Sequence, residues 1–433
     1  MAIRWLYREL PELITKGILT QETAERLRHY YGEVKSVGKR VAMLIILGTT
    51  GALLIGLGII LLLAHNWEEF SRFTRAVLSL LPLVIGQCLA LWVLWKRPGS
   101  GAFKEGAATF LSLMVGASIA LISQTYNIPG DAGTFILTWM LLIIPLTYLM
   151  QASMPAAIYL IGITAWSGTY WDNPLKAALF WPLAAITIPH FIWALRREIY
   201  VLRTSILSLI MIVCVSIATG FSLGKTWQGS WVIIFPSLYS IFYFLGWLKI
   251  GRITTNWQRP LRIVGAIALF TLAFQFTFRY VWQYLDKDYF GMDRNISDIS
   301  AMPDHIITTA IVAMAMLLFY DNVKRKNWMV SLFGAVPLLA IIAYSIRGES
   351  TFLPLLLFNA YLFVLSVSRI IFGVRNNNLA IINTGMLMLA VLIIARFFDS
   401  DINFIMKGLA FIIVGAGFLA TNLVLSRRMG GAK

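Results

Sequence analysis

Residues 41–64 read VAMLIILGTTGALLIGLGIILLLA, and after the short break HNWEEFSR the chain resumes at 73–95 as FTRAVLSLLPLVIGQCLALWVLW. Both runs have the length an α-helix needs to cross about 30 Å of hydrocarbon. In lipid every backbone N–H and C=O must be satisfied within the segment, so runs of this kind are expected to be helical. Two of them joined by a short polar connection make a membrane hairpin.

Working outward, the pattern continues to the end of the chain. The expected spans are 41–64, 73–95, 106–123, 133–150, 152–169, 175–195, 201–222, 230–248, 261–285, 305–320, 328–346, 351–373, 379–396 and 406–425. The fold class expected is therefore all-α: a polytopic transmembrane helical bundle of about 14 spans, within a range of 12–14. The tight break at Gln151-Ala152-Ser153 and the short tenth run set the lower figure.

Composition agrees. Of the 433 residues 59% are hydrophobic and 13% charged, against about 25% charged in soluble domains. The net charge of +16 raises the question of nucleic acid. Counting by connection answers it. With the N-terminus inside, the inner segments hold 26 of the 36 Lys and Arg and sum to +18, whereas the outer ones sum to −2. This is the positive-inside asymmetry, and it places both termini in the cytoplasm. The basic balance reports orientation beside an anionic leaflet, so the expected partner is the lipid bilayer and no nucleic acid.

Residues 1–40 form the one sizeable polar segment at either end, set apart from the bundle expected over 41–433. Ile3, Leu6, Leu10, Leu13 and Ile14 recur at helical spacing, Lys16-Gly17 reads as a stop, and Thr20 as the N-cap of a second short helix with Glu22 in its first turn. So small a pair buries too little to stand alone. Self-association, docking of a protein partner and a simple amphipathic tether all fit it.

Certain residues follow a familiar order. They are Leu13-Ile14 with Lys16-Gly17-Ile18-Leu19-Thr20, then Gly48, Gly51, Gly56 and Gly58 closed by Ala64-His65-Asn66-Trp67. Next come Gly116-Ala117, Ile122 through Asn127, and Gly130-Asp131, and late in the chain Arg396-Phe397-Phe398-Asp399. Together these resemble the prokaryotic predicted membrane protein family known as domain of unknown function 2157, most strongly over 1–150 and again near 378–425. The resemblance implies a bacterial or archaeal plasma membrane and no established activity.

The same motifs share a property legible without it. His65, Asn66, Trp67, Gln124, Tyr126, Asn127, Asp131, Arg279, Arg396 and Asp399 all fall at or beyond the outer ends of expected spans. A shared outward-facing cleft accounts for this gathering, and so does the ordinary need of helix ends for polar anchors and aromatic belts. Arg279 and Arg396 could hold an anionic headgroup, because the guanidinium fork matches its oxygens. Arg396 could equally pair with Asp399 or Asp401.

None of the 20 carboxylates lies in the middle of an expected span, which disfavours a carboxylate-driven pump. Mid-span polar groups are neutral: Gln87, Gln275, Asn359, Asn383 and Asn422. The four histidines and two cysteines are scattered. No nucleophile triad, phosphate loop or zinc motif is present, so no catalytic residue, metal or cofactor is expected. The pattern points first to a transporter-like or flippase-like protein handling an amphiphilic or envelope-related solute. A membrane scaffold or sensor working through residues 1–40 is the alternative, and a membrane-embedded transferase using Glu68 or Glu69 a third.

Overall fold

The computed structural model describes residues 10, 13–15, 17–31, 69–196, 201–223, 229–247, 260–286, 302–347, 352–399, 412, 415 and 416. Every regular element among them is helical. The chain divides into two compact units, Met1–Arg75 and Ala76–Lys433.

In the first unit the expected stop is present: Gly17 takes a positive φ of 67°, and the amides of Ile18 and Leu19 return to the carbonyl of Leu13. A left-handed residue that folds amides back onto the last helical carbonyls is the usual glycine ending of a helix. Helix α1 (Gln21–Tyr31) then starts at Thr20, whose Oγ1 accepts the Thr23 amide at 3.3 Å. Leu10 and Ala24 are buried.

The second unit holds a succession of apolar helices. They are α2 (Arg72–Lys96, its first turn in the first unit), α3 (Gly101–Tyr126), α4 (Ala132–Leu149), α5 (Ser153–Gly168), α6 (Pro174–Ala177), α7 (Phe180–Ala185), α8 (Ile188–Arg196) and α9 (Val201–Ser222). After these come α10 (Trp231–Leu245), α11 (Pro260–Gln275), α12 (Arg279–Asp286), α13 (Met302–Lys324), α14 (Trp328–Phe333), α15 (Val336–Ile346), α16 (Phe352–Arg375) and α17 (Leu379–Asp399). Nine helical segments among the described residues are long and apolar enough to cross a membrane. The expected span 41–64 lies outside the described residues, and of 406–425 only 412, 415 and 416 are described.

Helix α2 packs through small residues. On α2 the buried positions are Ser79, Gly86, Ala90 and Val93, while Leu81, Val84, Ile85 and Leu91 are exposed. Lipid is as apolar as leucine, so helices associate through small residues and hydroxyls that allow close approach. Buried Ser112, Ser208, Ser237 and Ser366 each return their hydroxyl proton to the carbonyl four residues back, at 2.7 Å, and so carry no orphaned donor into the bundle. The α16–α17 hairpin is close: a Cβ on Gly385 would lie 3.0 Å from the Ile370 amide nitrogen.

Two large cores result. The first gathers Met140, Ile143, Tyr159, Leu160, Phe180, Leu207, Leu238 and Phe242. The second gathers Phe244, Phe276, Trp282, Phe333, Phe358 and Leu362. A smaller cluster of Ala90, Val93, Ala108, Leu111, Met150 and Ala152 joins α2, α3 and the end of α4.

Three expected spans are interrupted. The segment 175–195 is split into α6, α7 and α8, with Pro182 and Pro189 in its later pieces, because proline supplies no amide to the ladder. The segment 328–346 breaks at Gly334-Ala335, where Ser240 Oγ donates to the Gly334 carbonyl at 3.0 Å and Tyr361 Oη to that of Leu332 at 3.0 Å. The segment 261–285 breaks at 276–278 without any proline. There the Thr277 hydroxyl donates to the Phe274 carbonyl at 2.7 Å and the Trp282 indole N–H to that of Phe276 at 2.8 Å. Breaks within a membrane persist where neighbouring side chains take up the freed carbonyls.

Candidate functional site

The α3–α4 connection is built from its capping residues. Asn127 closes α3 in the left-handed region, φ 49° and ψ 44°, with its amide on the Ser123 carbonyl. Asparagine tolerates that conformation better than most side chains. Asp131 opens α4: one carboxylate oxygen accepts the Thr134 amide and the other the Thr134 hydroxyl, both at 2.8 Å. The Thr134 amide, followed by its hydroxyl, holds this exposed carboxyl below its usual range. Two residues on, Gly133 leaves space for the end of α5. A Cβ there would lie 2.8 Å from the Tyr170 hydroxyl oxygen and 3.1 Å from Thr169 Oγ1.

Below this connection α2, α3 and α4 enclose a groove of about 860 Å³. Leu80, Leu83, Leu111, Val115, Ile119, Phe135, Leu142 and Leu146 make its walls apolar, and Gln87, Ser118, Ser123, Asp131, Thr134 and Thr138 supply its polar atoms. Two hydrogen bonds fix the three helices around it. Ser118 Oγ donates to the Ser79 carbonyl, and the Trp139 indole N–H to the Ser112 carbonyl, both at 2.7 Å. Mostly apolar clefts of a few hundred to about 1,000 Å³ with a few placed polar groups are typical ligand sites.

A second polar locus lies at the break between α11 and α12. Arg396 of α17 donates to Thr277 Oγ1 at 3.2 Å and sits 4.8 Å above the centroid of the Phe278 ring. Asn359 Nδ2 of α16 donates to the Leu355 carbonyl at 2.8 Å and reaches that of Thr277 at 3.4 Å. The C-terminal end of α11 carries partial negative charge, so a guanidinium beside it is favourably placed.

Over residues 11–156 the chain matches the family Predicted membrane protein (DUF2157). No curated protein and no solved structure matches it. Every described residue lining the groove falls within the DUF2157 segment, whereas Arg279, Arg396 and Asp399 fall beyond it.

Of the ten residues that the sequence put forward, Asp131 lines the groove. Gln124, Tyr126 and Asn127 occupy the adjoining end of α3 and are exposed. Arg279 begins α12, also exposed, one residue from the ring that Arg396 covers. His65, Asn66, Trp67 and the side chain of Asp399 lie outside what is described.

Sequence reasoning missed an opposite polar end of the same DUF2157 segment. Glu105, near the start of α3, accepts the amides of Ser153 and Met154 at 2.8 and 2.9 Å and so caps α5. Behind it Ser153 Oγ and His190 Nε2 meet at 3.0 Å, both buried, with Tyr148 edge-on to the imidazole. These partners are separated by 37 to 49 positions, and no local spacing signals such a pairing. Among the described residues no group of three His, Cys, Asp or Glu could hold a metal ion.

Proposed function

We propose that this chain is a transporter-like or flippase-like protein of a prokaryotic plasma membrane, with fourteen spans and both ends cytoplasmic. It handles an amphiphilic, envelope-related solute through the groove between α2, α3 and α4, which opens toward the outer face. The observation that carries the reading is the composition of that groove: long leucine-rich walls with polar atoms clustered toward the Asp131 end. An amphiphile has the same division along its length. Orientation rests on charge. Lys96 and Arg97 stand at the far end of α2, whereas the 124–132 connection holds one carboxylate and no base.

The test is reconstitution of the purified full chain into liposomes carrying a fluorescent lipid in both leaflets, followed by addition of an impermeant quencher. The reading predicts loss of signal well past the outer-leaflet half, and slower loss when Leu142→Trp fills the groove. Protection of the inner half, equal to that of empty liposomes, for a folded protein overturns it.

A further inference from the structure

We propose that the groove selects a lipid whose head carries an ammonium group, with that head at Asp131 and an acyl chain along Leu83, Leu111, Val115 and Leu142. This deepens the functional reading above and rests on it for the groove's role.

The argument is a count of donors and acceptors. Four hydroxyls are among the described lining residues, and each spends its proton inside the protein. Ser118 donates to the Ser79 carbonyl, Ser123 to that of Ile128, Thr138 to that of Thr134, and Thr134 to the Asp131 carboxylate. What these hydroxyls can still offer a ligand is lone pairs. Asp131 adds more: each carboxylate oxygen uses one acceptor position on Thr134, and a carboxylate has about four. Among the described lining residues there is no Lys, Arg or His, and the amide of Gln87 is the one side-chain donor left.

The described side chains of the site are therefore rich in acceptors, poor in donors and net negative. An anionic phosphate head meets the like charge of Asp131 and, among the described side chains, almost no donors. An ammonium group brings three donors and a compensating charge. The dimensions agree with a chain below it: Asp131 to Leu146 spans ~22 Å at the helical rise per residue, a large part of the ~30 Å hydrocarbon thickness.

The test uses the full chain in bilayer discs of equimolar phosphatidylethanolamine and phosphatidylglycerol, with the lipids retained after release from the disc identified by native mass spectrometry. The expected result is a preference of about 2–5-fold for the ethanolamine lipid, the range of one exposed ion pair. Asp131→Asn should abolish it, because asparagine serves equally well as an N-cap and only the charge is lost. Thr138→Trp should lower retention of both lipids. Equal retention by the unaltered chain, a preference for phosphatidylglycerol, or a preference that survives Asp131→Asn overturns the proposal. Lipid movement in the quenching assay without head-group preference removes this inference and leaves the transport reading. Selective retention without movement does the reverse.

Discussion

The groove region formed by α2 to α4 and the aromatic region formed by α10 to α17 are made from similar apolar helices, yet they dispose of their polar atoms differently. In the aromatic region the helix breaks at 276–278 and 334–335 would expose carbonyls, and Trp282, Asn359, Ser240 and Tyr361 take them up. Arg396 is likewise engaged with Thr277 and Phe278. Polar chemistry there is turned inward and fixes the fold. Around the groove the donors are also spent internally, but the acceptors and one carboxylate stay on the wall of an open cleft. Polar groups spent on holding helix breaks belong to a frame, and acceptors left on the wall of an open cleft can hold a ligand.

That contrast can be broken by substitution. The largest effect is expected for Phe358→Ala. Phe358 is fully buried and lies 5.0 Å from Phe276 and 6.0 Å from Trp282, between ring centroids. Losing such a side chain costs about 3–5 kcal/mol, seen as a large drop in Tm in detergent. Lipid handling per folded molecule should be unchanged, and a selective loss of it would dissolve the division into frame and groove.

Tyr361→Phe should follow at about 1–3 kcal/mol, because the Leu332 and Phe333 carbonyls at the break lose their hydroxyl donor. Thermal unfolding measures this, and an unaltered Tm would mean the break is not held by that hydroxyl. Glu105→Ala removes the cap of α5 and should cost about 1–2 kcal/mol. Faster amide exchange confined to the first turn of α5 is the distinguishing readout.

The smallest effect belongs to Asp131. Its folded pKa lies below the ordinary 3.8, so the cap contributes fully above that value and is lost as pH falls through the folded one. Tm should be level from neutral pH to about 4 and then decline, and the decline should be slightly smaller in Asp131→Asn. A fall in Tm that begins near neutrality in the unaltered chain and is absent from Asp131→Asn contradicts this assignment.

Much of the frame was legible in the sequence because hydropathy over some twenty residues is a strong local signal. The helices from Arg72–Lys96 to Leu379–Asp399 fall where the apolar runs are. The Thr20 cap and the Gly17 stop were legible too, since capping is decided within four residues. The break at 276–278 was not. No proline marks it, and its stability comes from Trp282 five to six positions on and from Asn359 on another helix. Glu105 was hidden for the same reason: in the sequence it is one more charge near a span end, and its partners lie 48 and 49 residues away. Asp131 was visible as a polar residue at the end of an expected span. That it lines a groove depends on how α2 lies against α3 and α4, which spacing within one helix does not encode.

The most direct test of the central claim is photo-crosslinking in a bilayer with a phospholipid bearing a photoactivatable group midway along one acyl chain, followed by peptide mapping. The account predicts adducts concentrated on Leu83, Gln87, Leu111, Val115 and Leu142, and their loss in Thr138→Trp. Adducts spread evenly over the outward faces of α13, α16 and α2, unchanged by that substitution, would contradict it.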